Sequence, residues 1–179
     1  MHTLISIVDG LSRFMAAVGR LAIAILVVAM LYEVFARYVF NAPTLWAFDI
    51  SYMLNGSIFI LGAAFALQQD AHVRIDFLSQ RLPERVQQLQ NGTLYILVMA
   101  PIFGMFAYIS GGKALKAFLT GELESVSPWA PVVWPFYSVI AAGLLALSLQ
   151  FLAEGLKYLS GQITPGHINS DANTMDIQS

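Results

Sequence analysis

The sequence contains no cysteine, which removes disulfides, thiolate metal sites and cysteine nucleophiles together. Charge is scarce as well. Only 11% of the 179 residues are Asp, Glu, Lys or Arg, against about 25% in a typical soluble domain, too little to solvate a globule of this size. The nine basic residues are outnumbered by eleven acidic ones, so the chain lacks the basic footprint of a nucleic-acid binder. Imidazole chemistry is confined to His2, His72 and His167. What is abundant is apolar: 58% of the residues are hydrophobic and mean hydropathy is +0.68. This is the composition of an integral membrane protein.

Charge-free stretches locate the spans. Twenty residues separate Asp49 from Asp70, 27 separate Arg85 from Lys113, and 29 separate Glu124 from Glu154. At about 1.5 Å per residue, some 20 residues cross the roughly 30 Å hydrocarbon layer as a helix. Each stretch therefore spans once, and each is far too long for a barrel strand. A fourth span precedes them, with Phe14 to Ala36 apolar except for Arg20 and Glu33. It has no small-residue cleavage site and is followed by more charge and another span, so it reads as an uncleaved helix, not a signal peptide. The fold class is an all-α integral membrane protein with four transmembrane helices at about 14–38, 47–68, 92–112 and 133–156.

Six of the nine Lys and Arg residues (Arg13, Arg20, Arg74, Arg81, Arg85 and Lys157) fall on one side of this arrangement, and Arg37, Lys113 and Lys116 on the other. The positive-inside bias places both termini in the cytoplasm. Trp46, Trp129 and Trp134 then gather at the outer interface, where an aromatic belt belongs. In the outer turn Asn41-Ala42-Pro43-Thr44, Pro43 stops the first helix before Ala42, and Thr44 is a candidate N-cap for the second. Between spans two and three, Ile75, Leu78, Leu82, Val86 and Leu89 recur at helical steps. This predicts amphipathic helices over about 73–91, the second starting near Pro83, lying on the cytoplasmic leaflet with Arg81 and Arg85 among lipid headgroups. A solvated helical loop has the same pattern. The outer loop 120–135 is acidic and rich in proline, and the polar tail 161–179 is expected to be a flexible cytoplasmic segment.

Charged groups within spans are functional candidates. Glu33, Arg37 and Asp49 cluster at the outer ends of the first two helices. Glu33 and Arg37 stand four apart in the favourable order for a helical ion pair, and the tight turn is expected to bring Asp49 close too. They read as a polar anchor that holds the hairpin or docks another subunit. Asn55 and Ser57 are the main polar groups at mid-depth. Small residues recur four apart (Gly62 and Ala66, Ala100 and Gly104, Ser138, Ala142 and Ala146), a pattern of close helix packing. No histidine lies in a span, which excludes a His-ligated haem and a histidine base for Ser57. His72 with Asp76 is too small a set for a metal. No catalytic set, substrate site, metal site or cofactor is expected, and the chain does not read as an enzyme.

One ordered set of elements is specific. The run Tyr32-Glu33-Val34-Phe35-Ala36-Arg37-Tyr38-Val39-Phe40-Asn41 leads to Trp46 and Asp49. Gly62-Ala63-Ala64-Phe65-Ala66-Leu67 follows, and then Ala71-His72-Val73-Arg74-Ile75-Asp76-Phe77. This strongly resembles the small permease subunit of TRAP (tripartite ATP-independent periplasmic) transporters, with Asp49 standing where many members carry Glu. The resemblance implies location in the bacterial or archaeal cytoplasmic (inner) membrane. It also implies two protein partners, a periplasmic substrate-binding protein that captures an organic acid and a large permease subunit that holds the substrate and sodium sites. This chain would be a scaffold beside the large subunit. In that frame Glu33, Arg37, Trp46 and Asp49 pin its outer end, and His72, Arg74 and Asp76 fix its inner end. Two readings from other classes remain: a self-sufficient homo-oligomeric channel or transporter, and a membrane anchor for an enzyme complex.

Overall fold

The computed structural model describes residues 2–69 and 83–160. Within them the chain is helical: α1 (His2–Tyr38), α2 (Ala47–Gln68), α3 (Glu84–Leu94), a π-helical turn (Tyr95–Met99), α4 (Ala100–Thr120) and α5 (Trp134–Leu159). An isolated bridge between Leu123 and Val132 is the only extended pairing among the described residues. Four helical stretches are long and apolar enough to cross a membrane: Ile5–Tyr38, Ala47–Gln68, Arg85–Thr120 and Trp134–Leu159.

Two helices exceed the spans expected from the sequence, and for the same reason. Residues before Phe14 and around Glu84 are polar enough to leave the hydrocarbon, but nothing in them breaks a helix. Thus α1 starts at His2, and its 37 residues extend about 55 Å. Likewise, α3 begins directly after Pro83, and residues 84–91 are not a separate helix that ends before the third span. They run without interruption through the π turn into α4. Residues 73–82 of the expected amphipathic segment, and the tail 161–179, lie outside the described residues.

The π turn has a local cause. Pro101 has no N–H and its ring crowds the carbonyl of the preceding turn, and the helix accommodates it by widening just ahead. The Ala100 amide accordingly reaches back five residues to the Tyr95 carbonyl. The Ala100 carbonyl is taken by the Ser148 hydroxyl of α5 at 2.7 Å, as expected where hydrocarbon offers no water.

The helices pack around α5. In its most apolar stretch 44% of the residues are buried, against 22% or less in the other three spans. Contact surfaces are made of small residues. Along α1, the buried positions Ser12, Gly19, Ala22, Ala29, Glu33 and Ala36 follow a seven-residue repeat. In α4, Ala100, Ala107 and Ala114 do the same. Lipid tails are as apolar as leucine, so helices here associate through close approach and interhelical hydrogen bonds. Ala64, Leu67, Ala100, Ala146, Leu147 and Phe151 fill the centre, flanked by Met15, Tyr95 and Phe103.

Three glycines that a search for four-residue spacings passes over make the tightest contacts. A Cβ at Gly155 would lie 2.6 Å from Ile96 Cγ1, at Gly92 2.8 Å from the Leu159 side chain, and at Gly143 2.9 Å from Ile60 Cγ2. Of the small-residue pairs expected from sequence, Ala100 and Gly104 do face α5, but Gly62 meets nothing within 4 Å and lies on the outside. Replacing Gly155 by valine is expected to destabilise the protein by about 1–3 kcal/mol through overpacking, read as a lower apparent melting temperature in detergent. Gly112→Ala, at a position with open space around it, should leave that temperature within a degree or two of the parent, consistent with the about ±0.5 kcal/mol typical of surface changes.

Candidate functional site

Apart from Ser57 and Ser148, the buried polar side chains gather at the two ends of the bundle. At the end that carries the three tryptophans, Glu33 is buried although Arg37 beside it is 55% exposed. One Glu33 oxygen, Oε1, accepts from Arg37 Nε at 2.9 Å and Nη2 at 2.5 Å. The other, Oε2, accepts from the Thr44 backbone amide at 3.0 Å and from the Thr44 hydroxyl. A single carboxylate thus closes the α1–α2 turn. Asn41 takes a left-handed conformation at φ 51°, and the Ala42 amide bonds back to the Ala36 carbonyl at 2.9 Å, ending the helix before Pro43 as its sequence dictates. Thr44 is not the N-cap of α2. That position is Trp46, which makes no side-chain capping bond, and the threonine hydroxyl serves Glu33. Trp46 stacks on Tyr32 of α1, with ring centroids 5.8 Å apart.

Asp49 is also buried, but its partner is not Arg37. It accepts a hydrogen bond from the Ser127 hydroxyl, which also accepts from the Trp129 amide at 3.1 Å. Asp49 thereby ties the start of α2 to the loop between α4 and α5. That loop is itself ordered by backbone bonds from Glu124 N to the Pro131 carbonyl (2.9 Å) and from Val133 N to the Glu122 carbonyl (3.2 Å). The four residues expected as an outer anchor therefore form two adjacent ties: Glu33 and Arg37 with Trp46 alongside, and Asp49 with the loop. His72, Arg74, Asp76 and Arg81 lie outside the described residues. Arg85 is exposed in the first turn of α3.

The opposite end holds a network that sequence inspection missed. Gln150 is fully buried and donates from Nε2 to both Asp9 Oδ1 and Glu154 Oε1, at 2.9 Å each. Its Oε1 accepts from the Ser12 hydroxyl at 2.7 Å. Lys157 Nζ lies 2.7 Å from Glu154 Oε1 and 3.1 Å from Asp9 Oδ2. The first three turns of α1 are thus fastened to the last three of α5 by a closed set of donors and acceptors. The usable signal was the spacing Gln150, Glu154, Lys157 on one face of α5 and Asp9, Ser12 on one face of α1. Their pairing across 138 residues or more has no local signature.

At mid-depth the expected polar pair divides. Ser57 is buried and donates to the Met53 carbonyl of its own helix at 2.7 Å, whereas Asn55 is on the exposed side of α2. Among the described residues no group of three or more His, Asp or Glu could hold a metal. The arrangement is that of a tied bundle with a solid centre.

Four apolar helices secured to one another at both ends define a polytopic membrane protein. The family described as "Tripartite ATP-independent periplasmic transporters, DctQ component" matches residues 26–160, and the chain belongs to that family, a multi-pass component of the bacterial inner membrane. Among its relatives is the "Sialic acid TRAP transporter small permease protein SiaQ" of Vibrio cholerae. It is 29% identical over 157 residues, covering 87% of this chain and 85% of that protein. A second is the "Sialic acid TRAP transporter permease protein SiaT" of Haemophilus influenzae, 32% identical over 85 residues. There the match takes in 48% of this chain but spans only 14% of the relative's length. No solved structure matches the chain.

Substitutions at each end separate their roles. Lys157→Met leaves Asp9 and Glu154 without their shared cation and is expected to lower stability by about 2 kcal/mol, allowing for the partial exposure of the pair. Adding Asp9→Asn should restore part of that loss in the same thermal melt. Glu33→Ala is expected to open the 39–46 turn to added protease in vesicles. Arg37→Ala should do so less, because Thr44 remains bonded to the carboxylate.

Proposed function

We propose that this chain is the small membrane subunit of a TRAP-type secondary transporter, scaffolding a separate large permease subunit during sodium-coupled uptake of an organic acid delivered by a periplasmic binding protein. The observation that carries this reading is the solid interior. Alanine, leucine and phenylalanine side chains fill the bundle centre, and most of the buried polar groups are spent on tying segments together, so the chemistry of substrate and ion falls to a partner. The match to the longer Haemophilus protein supports it. A segment like part of this chain accounts for 14% of a single permease polypeptide there, which leaves most of that permease to a region that this chain does not match. Both relatives are named for sialic acid, which is consistent with an organic acid as substrate class.

In this reading both termini face the cytoplasm and the tryptophan end faces the periplasm, following the Lys and Arg bias. Glu33, Arg37, Trp46 and Asp49 hold the outer end in the shape the partner meets, and His72, Arg74 and Asp76 fix the inner end. Arg81 and Arg85 contact lipid headgroups. Affinity purification of the tagged chain from native membranes in mild detergent is expected to bring down a stoichiometric, much larger polytopic protein, identified by mass spectrometry. A stable homo-oligomer without that partner, able to move solute in liposomes, would overturn the proposal. The double variant Arg37→Ala/Asp49→Ala is expected to reduce the copurified partner and the uptake rate about tenfold, equivalent to about 1.4 kcal/mol of binding.

A further inference from the structure

The side of α2 turned away from the bundle carries Phe48, Tyr52, Asn55, Phe59 and Gly62. Their steps of four, three, four and three place them in one stripe. Phe48 and Phe59 are 79% and 80% exposed. Gly62 has open space above it, so the protruding rings give way to an open shelf at the stripe's far end. Asn55 is exposed and has no hydrogen-bond partner among the described residues. It stands two turns inside a helix of 22 residues, about 12 Å from the helix start, a depth at which acyl chains offer an amide neither donor nor acceptor.

At its tryptophan end the stripe opens into a cavity of about 400 Å³ lined by Phe48, Tyr52, Asp49, Glu124 and Ser127 among others. Phe48 and Tyr52 belong to both. The cavity holds two carboxylates, and no cation among the described residues pairs with either. Asp49 gives one oxygen to Ser127, and its other makes no bond to a described residue.

We propose that the stripe and cavity together seat a transmembrane helix of the large permease subunit. That helix carries a lysine or arginine near its end that reaches Asp49 and Glu124, and, about one to two turns deeper, a side chain that hydrogen-bonds Asn55. The proposal rests on the partnership proposed above and adds the face through which it is made. A lipid is the wrong occupant, because its tail leaves the Asn55 amide unmet and its phosphate would face two carboxylates. A second copy of this chain, docked in parallel by the same face, would set the carboxylates against each other.

Absence of native cysteine and the exposure of the two rings make the face easy to probe. A benzophenone amino acid placed at Phe48 or Phe59 in the tagged chain, expressed in its native membranes and irradiated, is expected to give a covalent adduct with the large subunit. The yield should be about tenfold above that from Tyr108 of α4, which is 84% exposed. Asn55→Leu is expected to leave the melting temperature of the isolated chain unchanged or higher while cutting the copurified large subunit about tenfold. If the large subunit copurifies but the adducts arise at Tyr108 and not at Phe48 or Phe59, the face is wrong and the partnership stands. Adducts from Phe59 with lipid or with a second copy, or Asn55→Leu without effect on copurification, also overturn the face. If no larger polytopic protein copurifies with the unmodified chain, the partnership itself fails.

Discussion

Water drives helices together in soluble proteins, but hydrocarbon does not, and this constraint governs the molecule. An apolar side chain gains little by leaving lipid for a protein interior, so cohesion must come from backbones that approach closely and from hydrogen bonds that lipid cannot replace. Both converge on α5. Its glycines at 143 and 155 admit α2 and α3, its Ser148 satisfies a carbonyl of the proline-disturbed helix, and its Gln150 gathers Ser12, Asp9 and Glu154 into one network. With α5 removed, α1 and α2 would retain their shared turn but lose what holds that hairpin to the rest.

The two ends are fastened by different means. At the tryptophan end the ties are local, since Glu33 reaches Arg37 one turn on and Thr44 in the next turn of chain. The Asp49–Ser127 bond is the one that reaches the loop between α4 and α5 among the described residues. At the other end every principal bond joins α1 to α5 or lies within α5. The first arrangement shapes a surface, and the second fixes the relative positions of helices.

What the sequence disclosed follows from the same physics. Gaps between charges mark spans because charge in hydrocarbon is expensive, and α2 fills the interval expected of it. The Glu33–Arg37 pair was legible because its spacing is local, and Ala42-Pro43 because proline restricts its neighbour. The outward position of Asn55 and Gly62 was not. When lipid and core are equally apolar, hydrophobic periodicity no longer says which side of a helix faces in. The Asp9–Gln150–Lys157 network was hidden for another reason. Asp9 reads as a residue already outside the membrane, and nothing near it announces a partner so far along the chain. Asp49 was recognised as important, but its bond to Ser127 was not legible, because Ser127 approaches from a loop whose fold depends on backbone bonds.

The π turn has a bearing on register. Along α4 the buried alanines at 100, 107 and 114 keep a seven-residue beat against α5. Gly92, the contact point of α3, lies eight residues before Ala100, one too many for that beat. A π turn inserts a single residue into a helix, so it absorbs the surplus. Without it, a helix continuing from Gly92 would present Met99 and Phe106 where alanines now sit, and bulky side chains would wedge the two helices apart. Pro101 therefore acts as a phase corrector, letting one long helix follow its neighbour along two stretches of sequence that would otherwise be out of step.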